Sequence, residues 1–86
     1  MIVTRATLAA AFRATESAAK RLGIERVSLD LGSRTNGIPY RLHAAGAEVI
    51  LGRTADESLA SLRAITSAWS IAWNLRQSAR GDAPEA

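Results

Sequence analysis

Val27-Ser28-Leu29-Asp30-Leu31 and Ile38-Pro39-Tyr40-Arg41-Leu42-His43 alternate, and Ala47-Glu48-Val49-Ile50-Leu51-Gly52 reads as a third such run with Val49 and Leu51 inward. A period of two places successive side chains on opposite faces of a strand, so each run reads as a strand with one buried face. Gly32-Ser33-Arg34-Thr35-Asn36-Gly37 and Ala44-Ala45-Gly46 supply the turns between them. Three strands joined in order form an antiparallel meander. Directly opposed residues share a face, which limits the registers. Leu42 against Val49 and Tyr40 against Leu51 keep the second hairpin's apolar face intact and leave Ala45-Gly46 as a two-residue turn. In the first hairpin Leu29 against Tyr40 does the same, and so does a slip of two residues. Pro39 donates no ladder hydrogen bond and belongs near a strand end or on an unpaired side. These registers predict that Val49 and Leu51 are buried and Ile50 exposed.

Upstream, Leu8, Ala11, Phe12, Thr15, Ala18, Ala19 and Leu22 recur at helical spacing, opposite Arg13, Ser17, Lys20 and Arg21. Gly23 ends this helix as its left-handed residue, with Ile24 folding back and Lys20 and Arg21 offsetting the dipole. Downstream, Thr54-Ala55-Asp56-Glu57 is a capping box. The helix it opens carries Leu59, Leu62, Ile65, Thr66, Trp69 and Trp73 as its main stripe and runs to about Gln77. A second apolar set, Ala60, Ala64, Ala68, Ile71 and Leu75, lies elsewhere on its circumference. The whole is an α+β domain of order α-β-β-β-α, both helices packed on the face carrying Val27, Leu29, Leu31, Tyr40, Leu42, Val49 and Leu51. Residues 1–78 form the single domain and 79–86 a flexible tail.

The 86 residues carry no cysteine, one histidine and a net charge of +3. This composition excludes disulfides, a thiol nucleophile and cysteine-based metal sites, and a single histidine argues against a zinc site within the chain. No apolar run reaches membrane-spanning length. The charge excess sits in residues 1–23, with four basic residues and one acidic. Arg13, Lys20 and Arg21 are therefore the possible basic contact surface for nucleic acid.

No catalytic or cofactor-binding residues emerge. His43 falls opposite Glu48, a pairing that an exposed cross-strand charge pair explains without acid-base chemistry. The outer sheet face, with Arg26, Ser28, Asp30, Arg41, His43, Glu48 and Ile50, lacks the aromatics on which single-stranded nucleic acid stacks. The element order resembles double-stranded-RNA-binding domains, whose last helix begins with a phosphate-gripping lysine cluster; Asp56 and Glu57 stand at that place here. Trp69 and Trp73 are assigned to the core, and the side with Ala64, Ala68, Ile71 and Leu75 to a symmetric helix-helix dimer.

Leu29 to Gly37 with its Thr35-Asn36-Gly37 turn, Pro39-Tyr40-Arg41-Leu42, and Leu51-Gly52-Arg53-Thr54-Ala55-Asp56-Glu57 resemble a pattern in short accessory proteins of phages of mycobacteria and related actinobacteria, over about residues 27–66. The resemblance implies a non-structural phage protein in the host cytoplasm that binds and perturbs a host protein, with no catalytic residue and no cofactor. The expected function is a small homodimeric interaction module, and the alternative is nucleic-acid binding through the basic first helix.

Overall fold

The computed structural model describes residues 2–33 and 35–81. Helix α1 (Arg5–Arg21) leads into strands β1 (Ser28–Asp30), β2 (Tyr40–Ala44) and β3 (Ala47–Gly52), and helix α2 (Ala55–Gly81) follows. The strands form one antiparallel sheet in the order β1-β2-β3. This is the α+β architecture read from the sequence.

The ends of α1 follow from local chemistry. The Thr7 amide donates to Thr4 Oγ1 at 3.2 Å. At the other end Gly23 takes φ +80°. Its amide donates to the Lys20 carbonyl at 3.0 Å while the Ile24 amide donates to that of Ala19 at 2.9 Å. These two bonds satisfy carbonyls that the terminating helix would otherwise leave bare.

The second hairpin turns at Ala45 and Gly46, with φ of 51° and 87°, the twist that two-residue hairpins favour. Leu42 faces Val49 and His43 faces Glu48, as parity requires. The expected pairing of Tyr40 with Leu51 fails, because Arg41 faces Ile50 whereas Tyr40 faces Gly52. Leu51 is thus an extra residue with no opposite number, a bulge that bends the strand. It turns into the core at 4% exposure, whereas Val49 is 44% exposed and Ile50 64%. Exposure of Ile50 agrees with the parity reading, and the expected burial of Val49 does not. The reason is where the last helix crosses: Ser61 Oγ donates to the Leu51 carbonyl at 2.6 Å, and Val49, further back on an edge strand, lies past that cover.

The first hairpin adopts the register slipped by two, with Leu29 opposite Leu42 rather than Tyr40. Ser33 and Ile38 close it through reciprocal backbone bonds of 2.8 and 2.9 Å. In this register Gly32 lies against the backbone around Pro39, so that a Cβ on Gly32 would come within 2.3 Å of the Ile38 carbonyl oxygen. Pro39 sits just before β2, at a strand end as expected.

The core is Leu8, Leu42, Leu51, Leu59 and Leu62, with Phe12, Val27, Leu29, Tyr40, Ile65 and Trp69 packed around it. Leu31, expected on the buried face, is 45% exposed, because β1 ends at Asp30. Between the helices Thr15 is fully buried. Its hydroxyl donates to the Ala11 carbonyl at 3.0 Å and lies 2.7 Å from Thr66 Oγ1. A hydroxyl has one proton, so Thr66 is the donor in the second bond.

The capping box forms with one change from expectation. Glu57 donates its amide to Thr54 Oγ1 at 3.2 Å, but its carboxylate accepts from the Arg53 amide, at 2.9 Å, instead of that of Thr54. From there α2 continues to Gly81, past the expected end near Gln77, since Ser78-Ala79-Arg80 contains no helix breaker. Residues 79–81, assigned from sequence to the tail, are thus helical, and the remainder of that tail, 82–86, lies outside the described residues. Three strands between two helices make the helices run in the same direction. At 27 residues against 17, α2 outruns α1, and residues 74–79 are exposed. The molecule measures 59 × 29 × 16 Å.

Candidate functional site

One side of α2, turned away from the core residues Leu59 and Leu62, is bare. Ala60, Ala64, Ser67, Ala68, Asn74 and Ser78 are exposed there. With them stand Ile71 and Leu75, at 58% and 66% exposure. No charged residue belongs to this face along about five turns. Between Ser58 and Ala79 the only charges are Arg63 and Arg76, which at about 100° per residue fall about 110° to either side of the line through Ala64, Ala68, Ile71 and Leu75, Arg63 bordering the face beside Ser67 and Asn74. An exposed helix surface ordinarily carries charge on its outward side. The four residues assigned to the dimer contact, Ala64, Ala68, Ile71 and Leu75, therefore lie together on a surface the monomer does not use.

A trough of about 680 Å³ opens between the helices, lined by Thr7, Ala10, Ala14, Leu59, Arg63 and Ser67. It offers methyl groups, hydroxyls and one guanidinium at its margin. No nucleophile in it is paired with a base.

Arg13, Lys20 and Arg21 are all exposed on α1. Glu16 lies between the first two along the helix, and Arg13 and Lys20 are about 10 Å apart along the axis. On α2 the first turn holds Asp56 and Glu57, and the trough between the helices carries Arg63.

On the outer sheet face His43 does not engage Glu48, its opposite number. Its Nε2 meets Asp30 Oδ2 at 2.7 Å, while Glu48 takes Arg41 at 3.5 Å. Both are diagonal contacts between adjacent strands, within reach of long side chains. Ser28 stands directly across from His43, so the residue types of a hydrolytic triad share one face. Among the described residues no hydrogen bond joins Ser28 to His43. Activating a serine hydroxyl requires that bond. Among the described residues no group of three or more side chains is placed to hold a metal ion. No helix among them is long and apolar enough to cross a membrane.

Val49, exposed beside Ile50 on edge strand β3, is an apolar site that sequence reasoning missed, because alternation reports faces and not how far a helix covers them. No protein-family model matches the chain, and no curated protein or solved structure matches it either.

Proposed function

We propose that this chain is a small non-enzymatic interaction module that works as a homodimer joined through α2. The observation that carries this reading is the charge-free face holding Ile71 and Leu75 in water. Burying an aliphatic side chain of that size is worth about 1.5–3 kcal/mol, and a self-complementary patch on one helix suits a twofold contact. The further part of the reading, a phage protein that binds a host protein and perturbs its process, is supported by the resemblance of residues 27–66 to phage accessory proteins. The sheet and α1 remain free for such a partner when α2 is engaged.

Ile71→Glu with Leu75→Glu tests the dimer. Both side chains lie outside the monomer core, so the double variant is expected to keep its circular dichroism and to halve its mass in light scattering, since carboxylates without a counter-charge would be forced into an apolar contact. A monomeric parent would overturn the reading. The competing nucleic-acid reading predicts a duplex-binding shift that weakens steeply with salt and is lost on charge reversal of Arg13, Lys20 and Arg21. We expect no such shift.

A further inference from the structure

We infer that the occupant of the charge-free face of α2 is a second copy of the chain laid antiparallel across a twofold axis, in the register that sets Ala64 against Leu75 and Ala68 against Ile71 of the other copy. The inference rests on the dimer reading above and adds to it an orientation and a register.

Three observations point the same way. The first is spacing. Ala64, Ala68, Ile71 and Leu75 follow one another at intervals of four, three and four, the repeat by which two helices mesh along a common seam. Ser61 and Ser78 extend the seam by one position at each end. The second is size. A parallel pair in register would set Ala64 on Ala64, Ala68 on Ala68, Ile71 on Ile71 and Leu75 on Leu75. The distance between packed helices follows the side chains at the contact, so that pair would be too wide at the alanines wherever it fitted the leucines, and the voids would cost stability. Reversing one helix joins every large side chain to a small one, and the separation is uniform along the seam.

The third is charge. The first turn of α2 is acidic, with Asp56 and Glu57, whereas the charges towards and beyond its far end are mixed, Arg76 and Arg80 being followed in the sequence by Asp82 and Glu85. Antiparallel pairing keeps the two acidic first turns at opposite ends of the pair and opposes the two helix dipoles, whereas parallel pairing stacks like on like. The same residues select the register. A shift of one seven-residue repeat in one direction places Leu75 against Glu57, a carboxylate forced into an apolar contact. The opposite shift stacks Leu75 on Ile71 and leaves Ala64 facing a position beyond Gly81.

The chain has no cysteine, so introduced thiols report alone. In the proposed register Ala64 and Leu75 of opposite copies are adjacent, whereas the two copies of Ala64 are about 16 Å apart along the axis at 1.5 Å per residue. Ala64→Cys and Leu75→Cys proteins are mixed, allowed to exchange subunits and oxidised at a concentration where the parent is dimeric. A second pair, Ser61→Cys with Ser78→Cys, keeps Leu75 in the seam. Each mixture is expected to give a disulfide-linked species of doubled mass that neither variant gives alone. Cross-linking of Ala64→Cys with itself would mean a parallel pair and overturn the register while the dimer reading stands. A parent that is dimeric by light scattering but cross-links in no combination would move the contact off this face and overturn the inference. A parent that is monomeric would overturn both.

Discussion

Leu51 has no partner across the β2–β3 ladder, and its side chain reaches the core that its neighbours do not. The bulge lies where the strand must bend to hand the chain to Thr54 and α2, and the Ser61 hydroxyl takes the Leu51 carbonyl there. Leu51→Ala is accordingly expected to cost about 2–5 kcal/mol, as buried leucine truncations do. Val49→Ala, at a half-exposed position, should cost less than about 1 kcal/mol. Urea melts of the two variants check the contrast, and equal losses would mean that something covers Val49. Gly32 is constrained differently, by space: its missing Cβ would lie 2.3 to 2.7 Å from backbone atoms of residues 38–40. Backbone cannot swing aside as a side-chain tip can, so Gly32→Ala is expected to lose about 2–3 kcal/mol, in the upper part of the overpacking range. Thermal melts measure it. Neither constraint was visible in the sequence. One extra residue leaves the Val49 and Leu51 alternation unchanged, and a six-residue turn from Gly32 to Gly37 allows two registers of equal parity.

The elements were more legible than their contacts. Thr4, Gly23 and Thr54 mark helix ends because each satisfies backbone groups that a terminating helix exposes, and such chemistry is local. The two-residue turn at Ala45-Gly46 fixes its hairpin for the same reason. The candidate contact on α2 was also legible, since a helical period sorts Ala64, Ala68, Ile71 and Leu75 away from Leu59 and Leu62 without reference to the rest of the fold. How far α2 covers the sheet depends on its angle, which no local pattern states. The helix pair is joined by a polar bridge that tests its own packing. Thr15→Val removes the acceptor of the Thr66 hydroxyl in a buried setting and is expected to cost about 1–2 kcal/mol. Thr66→Val should cost less, because Thr15 keeps its bond to the Ala11 carbonyl. In a double-mutant cycle the two losses should fall short of additive by about 1 kcal/mol. Strict additivity would show that the hydroxyls do not interact.

At the scale of the whole molecule, a helix of 27 residues laid beside one of 17 produces a body far from spherical. Its radius of gyration is 15.2 Å, against about 12 Å for a compact chain of this length. Such a particle diffuses more slowly than its mass suggests. On a gel-filtration column calibrated with spherical standards the single chain should elute early, in the region where a compact dimer would run. Antiparallel pairing in the inferred register overlaps almost the full length of α2, so the pair grows in thickness more than in length. Its elution should therefore advance by less than a doubling of mass implies. The asymmetry of one long helix thus makes retention volume a poor counter of chains, and sedimentation equilibrium or light scattering, which weigh particles without regard to shape, the measurements that distinguish an elongated monomer from a squat dimer.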